Sequence, residues 1–86
     1  MNILGDIGNT ETKIFLVTSK FKVIKKISFL TKNINLIKLN EIFDNFKIDY
    51  KKIKKILFCS VVPKSLKMIK IFLSKKTRVK CNEVKI

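Results

Sequence analysis

Residues 2–13 read Asn-Ile-Leu-Gly-Asp-Ile-Gly-Asn-Thr-Glu-Thr-Lys and place a polar turn between two apolar, strand-forming segments. The first segment reaches an acid, Asp6, whose carboxylate can hold Mg²⁺ or a water bound to it. Gly8 has no Cβ, so backbone N–H groups beside it can approach phosphate oxygens closely. The asparagine and threonine that follow add side-chain donors, and Lys13 adds a positive charge. The stretch therefore predicts a site for a metal-bound polyphosphate, although an ordinary hairpin turn has the same composition.

The hydrophobic pattern along the chain predicts three strands, a helix, a strand, a second helix and a last strand. The strands cover residues 2–6, 13–18, 22–30, 56–59 and 78–86, and the first helix covers residues 35–47. Asn33 or Asn35 can cap that helix, and Pro63 suits the first turn of the second helix. The predicted apolar stripes are Leu36, Leu39, Phe43 and Phe46 in the first helix, and Leu66, Ile69, Phe72 and Leu73 in the second.

Smaller features of the sequence sharpen this prediction. The continuous apolar run at residues 56–59 indicates a parallel strand buried on both faces, with Cys59 as a small core residue. Lys25-Lys26 interrupts the alternation of the third strand, as expected for a β-bulge or a charged edge. The two cysteines have no CxxC spacing, and the chain has no histidine. This composition argues against a structural zinc site and against Cys-His catalysis.

The turn and a later motif together resemble a known family. Asp6-Ile7-Gly8-Asn9-Thr10, with Lys13, resembles the first phosphate motif of the actin, sugar-kinase and heat-shock ATPase superfamily. Its Gly-Asn-Thr form, followed downstream by Ser60-Val61-Val62-Pro63, is similar to type III pantothenate kinase. The resemblance extends over nearly all of these residues but covers well under half of a full-length member of that family.

The resemblance implies an α/β fold, the ribonuclease-H-like half-domain of the actin-like ATPases, with element order β-β-β-α-β-α-β. Its mixed sheet has the strand order 3-2-1-4-5, and the two helices are the right-handed crossovers that parallel strands need. Asp6 then lies at the carboxyl end of a central strand, where open α/β sheets bind ligands. Residues 1–86 are expected to form a single N-terminal lobe, truncated before the catalytic-base motif and the second lobe.

The activity that the resemblance implies is ATP-dependent phosphorylation of pantothenate, the first step of coenzyme A synthesis. It also implies Mg²⁺ and a monovalent cation, K⁺ or NH₄⁺, as cofactors, and a cytoplasmic homodimer as the full-length enzyme. Asp6 is the implied metal ligand, and the Ser60 motif is expected to close a strand-to-helix corner, chiefly as a helix start. The implied nucleotide-binding residues are Asp6, Ile7, Gly8, Asn9, Thr10, Glu11, Thr12 and Lys13.

The general base of that family lies in a Gly-Ala-Asp-Arg motif, which the resemblance places after Ile86. These 86 residues contain no such motif. Asp44 and Asp49 fall on or after a predicted helix, away from the turn. No catalytic residue is therefore predicted within the chain, and by itself it is expected to be inactive as a kinase, because phosphoryl transfer to a hydroxyl needs a base within reach.

The net charge of +14 raises the alternative of a basic nucleic-acid-binding module. The nineteen lysines are spread along the chain, and Arg78 is the only arginine. This distribution favours a solvated lysine-rich surface over a nucleic-acid partner. A nuclease-type ribonuclease-H-like domain is a further alternative, but Glu11 is the only nearby second carboxylate for its metals. The chain has neither an apolar run of membrane-spanning length nor a signal peptide, which favours the cytoplasm and no membrane partner.

Overall fold

The computed structural model describes residues 1–85, in which three strands, a helix, a strand, a second helix and a last strand follow one another. The predicted order of elements is therefore confirmed. Two short 3₁₀ turns lie between these elements: Thr31–Asn33 precedes the first helix, and Tyr50–Lys52 precedes the fourth strand. The strands are β1 (Asn2–Ile7), β2 (Glu11–Val17), β3 (Val23–Leu30), β4 (Lys55–Ser60) and β5 (Cys81–Glu83), and the helices are α1 (Leu36–Phe46) and α2 (Pro63–Thr77).

The five strands form one mixed sheet in the order β3-β2-β1-β4-β5. β1 pairs antiparallel with β2, and β2 with β3, whereas the β1–β4 and β4–β5 pairs are parallel. The two helices are the crossovers that these parallel pairs require. The predicted mixed sheet is thus confirmed, and β1 lies at its centre.

The two faces of the sheet have different surroundings. On the helix-covered face the side chains pack with both helices in one core, and the fully buried apolar ones are Ile3, Ile7, Ile14, Ile56 and Phe58. On the open face, Leu4, Asp6, Lys13, Phe15, Leu57 and Cys59 are half-buried or exposed, whereas Asn2 and Val17, at the far end of the β1–β2 pair from the turn, are buried. Successive residues of a strand point to opposite faces, so each strand contributes to both. The described residues therefore form two layers, one of strands and one of helices.

Helix α1 begins at Asn35, whose Oδ1 accepts a hydrogen bond from Lys38 N–H at 2.9 Å. Of the two predicted capping residues, Asn35 is therefore the one used. The helix ends at Lys47 in the left-handed conformation, and Lys25 Nζ from β3 donates to the Phe46 and Lys47 carbonyls. The predicted stripe is buried except for Leu36, which lies in the first turn of the helix and is 47% exposed.

Helix α2 begins at Pro63, in the first-turn position where a missing N–H costs no hydrogen bond. Its predicted stripe is confirmed, since all four members are buried in the core. The helix ends at Arg78, which adopts the left-handed conformation and donates its N–H to the Ser74 carbonyl at 2.9 Å. Neither helix of residues 1–85 is long and apolar enough to cross a membrane.

Two details of the strands differ from the prediction, and a third confirms it. β5 covers only three residues of the predicted 78–86, and Ile86 lies outside the described residues. The prediction of a bulge or a charged edge at Lys25-Lys26 is confirmed, because both lysines are exposed on edge strand β3 and its pairing with β2 skips Ile24 just before them. β4 is buried on one face only. Leu57 and Cys59 on its other face are half-buried, and Cys59 is not part of the core.

Candidate phosphate-binding site

The turn of residues 8–10 connects β1 to β2 at the carboxyl end of the central strand. Gly8 N–H donates to the Glu11 carbonyl at 3.0 Å, while the two residues at the tip are exposed. On the other side of β1, Val61 N–H donates to the Ile7 carbonyl at 3.0 Å, so the end of β4 lies beside the turn. The base of the turn is thus held by both neighbouring strands, and its tip stays open to solvent.

Gly8 provides room in this turn and not an unusual backbone conformation. Its φ is not positive, so the left-handed region that favours glycine is not required here. A Cβ added to Gly8 would lie 3.0 Å from the Glu11 carbonyl oxygen, which is closer than ordinary van der Waals contact. The absence of a side chain therefore lets the two strands approach each other at the turn.

The tip of the turn has backbone donors without a protein partner. Within residues 1–85, neither the Asn9 N–H nor the Thr10 N–H donates a hydrogen bond to another protein group. The side chains of both residues are also exposed. Backbone N–H groups that point out of a turn bind anions without any charged side chain. These two amides are therefore the donors that the turn offers to phosphate oxygens.

Asp6 is the acid that precedes the turn, and its side chain is exposed on the open face. The strand register places it directly opposite Lys13 on β2 and Cys59 on β4. In the described part of the chain Asp6 forms no ion pair, since Lys13 Nζ lies 3.7 Å from Glu11 Oε1 instead. The carboxylate of Asp6 is therefore available to solvent or to a cation.

Two of the predicted nucleotide-binding residues have side chains on the face away from this opening. Ile7 and Thr12 are fully buried on the helix-covered face, where they are directly opposite each other in the β1–β2 pair. Strand alternation explains this, because each is the immediate neighbour of a residue that points to the open face. The side chains of these two residues therefore lie away from the opening, and their nucleotide binding stays a prediction.

Thr31, which the sequence analysis did not single out, lies beneath the turn. It follows β3 directly and is 5% exposed. Its hydroxyl donates to the Gly8 carbonyl at 2.7 Å, and its N–H donates to the Thr10 carbonyl at 2.8 Å. Its Oγ1 also lies 2.8 Å from that of Thr12. No local motif could have revealed Thr31, because these two side-chain contacts join residues 19 and 23 positions apart.

Two comparisons with known proteins bear on the identity of the chain. A sequence model of type III pantothenate kinase matches residues 2–85. The type III pantothenate kinase of Pelagibacter ubique (strain HTCC1062) is 52% identical over 85 residues, which are 99% of this chain and 34% of that protein. The chain belongs to the type III pantothenate kinase family. It spans about a third of the length of the curated relative that it matches.

The second motif that resembles type III pantothenate kinases forms the corner between β4 and α2. Ser60 Oγ accepts a hydrogen bond from Val62 N–H at 2.9 Å and donates to the Val62 carbonyl at 3.1 Å. Pro63 then starts α2, so the corner has the structural role that the sequence analysis preferred. Beside it, a recess of about 350 Å³ is lined by residues from the carboxyl ends of β4 and β5, among them Cys59 and Glu83.

A larger depression, of about 510 Å³, lies between α1 and α2 and not at the turn. Its lining includes Leu36, Ile37 and Phe72, with two lysines and one glutamate at its rim. Size alone would favour this depression as a ligand site. The chemistry favours the turn, because the free backbone donors and the unpaired carboxylate are there.

The acids of the site fit a metal ion that arrives with a nucleotide. In residues 1–85, no three His, Cys, Asp or Glu side chains are placed to hold a metal ion among themselves. Mg²⁺ does not need such a cluster, since it is usually bound by one or two carboxylates together with substrate phosphates and water. The single exposed carboxylate of Asp6 therefore fits Mg²⁺ bound to phosphates.

Proposed function

We propose that this chain supplies the phosphate-binding part of an ATP-dependent pantothenate kinase, which catalyses the first step of coenzyme A biosynthesis. The observation that carries the proposal is the pair of free turn amides, Asn9 and Thr10, next to the unpaired carboxylate of Asp6. Membership of the type III pantothenate kinase family supports ATP and pantothenate as substrates. Because the chain spans about a third of its relative, the complete reaction is proposed for the full-length protein.

In this proposal the turn binds the nucleotide phosphates mainly through its backbone. The N–H groups of Asn9 and Thr10 donate to phosphate oxygens, and the side chains of the same residues add donors at the tip. Lys13 adds positive charge from β2. Its contact with Glu11 is an exposed ion pair at 3.7 Å. Such pairs contribute at most about 1 kcal/mol, so a phosphate group can replace the glutamate as the partner of the lysine.

Asp6 would hold Mg²⁺ on the bound nucleotide. When bound, the ion neutralises charge on the phosphates during transfer. The position of Asp6 at the carboxyl end of the central strand, where its carboxylate forms no ion pair with a residue of the described chain, supports this role. The monovalent cation, K⁺ or NH₄⁺, the homodimer and the cytoplasmic location implied by the family resemblance belong to the same proposal and concern the full-length enzyme.

The proposal also divides the reaction between this chain and the rest of the full-length protein. A pantothenate hydroxyl needs a base within hydrogen-bond reach before it can attack the phosphoryl group. In residues 1–85, Glu11 is the only acid besides Asp6 next to the turn, and the Gly-Ala-Asp-Arg motif that carries the base in the resembled family does not occur in these 86 residues. We therefore assign the base, the pantothenate site and the second lobe to residues beyond these 86. The chain by itself is expected to bind Mg-ATP weakly and not to phosphorylate pantothenate.

The test is a titration of the isotope-labelled chain with Mg-ATP, followed by the amide signals in two-dimensional NMR. We expect the signals of Asn9 and Thr10 to shift in the wild type. Asp6→Asn should weaken Mg-ATP binding by about tenfold, because the loss of a charge-assisted contact is worth about 1.4 kcal/mol or more. ATP without Mg²⁺ should bind both proteins similarly, because the metal contact is then absent from both.

Asp44→Asn is the matched control, because it removes the same charge from an exposed position on α1. It should leave Mg-ATP binding unchanged. If both substitutions change the Mg-ATP affinity equally, Asp6 contributes only through the net charge of the protein. That outcome would contradict its assignment as metal ligand. Phosphorylation of pantothenate by the chain alone, in a coupled assay, would contradict the division of the reaction.

A further inference from the structure

Thr31 is bonded to the candidate phosphate turn at two separate points, although it belongs to neither strand of the hairpin. We infer that Thr31 is a positioning residue, which holds two carbonyls of the turn inward so that the Asn9 N–H, one of the two proposed donors, faces the phosphates; this inference rests on the proposed function. It acts through the backbone of Gly8 and Thr10 and touches no substrate.

The direction of the side-chain hydrogen bonds beneath the turn follows from proton counting. A threonine hydroxyl has one proton, and a carbonyl oxygen can only accept. Thr31 must therefore donate its proton to the Gly8 carbonyl, at 2.7 Å. In the contact between the hydroxyls of Thr12 and Thr31, at 2.8 Å, Thr12 must then be the donor. The chain of bonds runs from Thr12 to Thr31 to Gly8, and both threonines are buried, so water does not compete for them.

Because the peptide bond is planar, the hydrogen bonds from Thr31 to the two carbonyls also fix the directions of the N–H groups in the same peptide units. In a trans peptide the C=O and the following N–H point in opposite directions. The Gly8 carbonyl points to Thr31, so the Asn9 N–H must point away from Thr31. The Thr10 carbonyl also points to Thr31, so the Glu11 N–H must point away from it as well. One buried residue thus sets the orientation of the two peptide units that flank the tip of the turn.

The hairpin also lacks a hydrogen bond that would otherwise close it. In a hydrogen-bonded antiparallel pair, the two residues exchange both N–H···O=C bonds. Between Gly8 and Glu11, within the described chain, only the bond from Gly8 N–H to the Glu11 carbonyl is formed. The Gly8 carbonyl accepts from Thr31 instead. Thr31 therefore occupies the carbonyl that would otherwise accept the closing bond of the hairpin, and the turn is held from below by Thr31.

The experiment uses two substitutions of the 86-residue chain that separate the hydroxyl from the bulk of the side chain. Thr31→Val keeps the shape and removes the hydroxyl, whereas Thr31→Ser keeps the hydroxyl. In the Mg-ATP titration we expect Thr31→Val to weaken binding about tenfold, by loss of one buried hydrogen bond. Thr31→Ser should restore affinity to within about twofold of the wild type, within the spread expected for a retained hydrogen bond.

Thr77→Val is the matched control. The Thr77 hydroxyl also donates to a backbone carbonyl, that of Leu73, at 2.7 Å. It lies at the end of α2, which leads to β5, a strand that pairs with neither β1 nor β2. Its loss should reduce the free energy of unfolding by a comparable amount without changing Mg-ATP affinity. If Thr31→Val remains folded and binds Mg-ATP like Thr77→Val, Thr31 is merely structural and the inference is overturned.

A measurement without nucleotide separates this inference from the proposed function. The Gly8 carbonyl ¹³C signal of the wild type should report a hydrogen bond, should shift in Thr31→Val and should return in Thr31→Ser. A wild type that shows this pattern but does not respond to Mg-ATP contradicts the proposed function alone. If Thr31→Val does not fold, slow solvent exchange of the wild-type Thr31 hydroxyl proton is the remaining test, and fast exchange would overturn the inference.

Discussion

The helix-covered face and the open face of the sheet consist of the same strands, yet they serve different purposes. On the helix-covered face, side chains such as Ile3, Ile56 and Phe58 have no exposed surface and form the core. On the open face, Asp6 and Lys13 are exposed and half-buried apolar residues surround them. Alternation along β1 therefore puts a core residue and a candidate metal ligand next to each other in sequence but on opposite faces.

The difference shows why the site can be polar without a large cost to stability. A buried carboxylate without a partner would lose its hydration and be strongly destabilising. Asp6 avoids that cost because it points to the open face, where solvent reaches it. The backbone N–H groups of the turn avoid the same desolvation cost, because the tip of the turn is exposed to solvent. Stability and ligand chemistry are thus separated by the face of the sheet, and substitutions should reveal that separation.

The largest expected effect is on the free energy of unfolding, and it differs between two neighbouring residues of β4. Phe58→Ala should reduce the free energy of unfolding by about 3–5 kcal/mol, because it leaves a cavity in the core. Leu57→Ala, on the open face, should cost roughly 1 kcal/mol, because that side chain is only half-buried. Urea unfolding followed by circular dichroism measures both. If Phe58→Ala does not fold, the milder substitution Phe58→Leu is measured in its place. Equal losses of unfolding free energy at positions 57 and 58 would contradict the description of two different faces.

A smaller effect is expected from adding a methyl group to β1. Gly5 lies opposite Phe58 in the sheet, and a Cβ on Gly5 would overlap the Phe58 ring. Gly5→Ala should therefore cost about 1–3 kcal/mol by overpacking. In the double variant with Phe58→Leu, the two losses should not add, because the smaller side chain makes room for the methyl group. Additive losses in urea unfolding would show that the two residues do not compete for the same space.

The smallest expected effect concerns the two cysteines, which lie on opposite faces. Burial on the helix-covered face raises the pKa of the Cys81 thiol to about 11, and Lys70 opposes this only in part. Between pH 9 and 11 the folded state therefore keeps a proton that the unfolded state releases. Stability should fall as the pH rises through that window, by at most about 1.4 kcal/mol per pH unit.

Substitution of each cysteine isolates this contribution from the titration of the lysines. Cys81→Ala should remove part of the pH dependence of the unfolding free energy between pH 9 and 11. Cys59→Ala, on the half-buried open face, is the control and should retain the wild-type pH dependence. Identical pH profiles for the two variants would show that burial of Cys81 does not affect its ionisation.

Local patterns in the sequence predicted most of the fold, because helix periodicity and helix starts depend on interactions between residues that are close in the sequence. The spacing of Leu66, Ile69, Phe72 and Leu73 identified the buried side of α2, and Pro63 identified its start, since both depend only on helix geometry. The same reasoning placed Leu36 in the stripe of α1, yet this residue is exposed. Periodicity shows which side chains share a face, but it does not show how far the neighbouring element extends.

The candidate site was predictable only in part. Asp6, Gly8, Asn9 and Thr10 could be recognised because an acid followed by a glycine-containing turn has a chemical meaning within one short segment. The burial of Ile7 and Thr12 required the sheet, because the choice of face depends on which side the helices cover. The requirement for glycine at position 5 was not predictable either, because the space that a side chain would need is occupied by Phe58 on another strand.

The sequence by itself determined the order of elements, the start of α2 at Pro63 and the polar turn between β1 and β2, because each depends on residues close together in the chain. Only the tertiary structure decided which sheet face is covered by helices and which residue supports the turn. Thr31 contacts Gly8 across 23 positions of the sequence because β3 folds back beside β2, and contacts at that separation leave no local pattern.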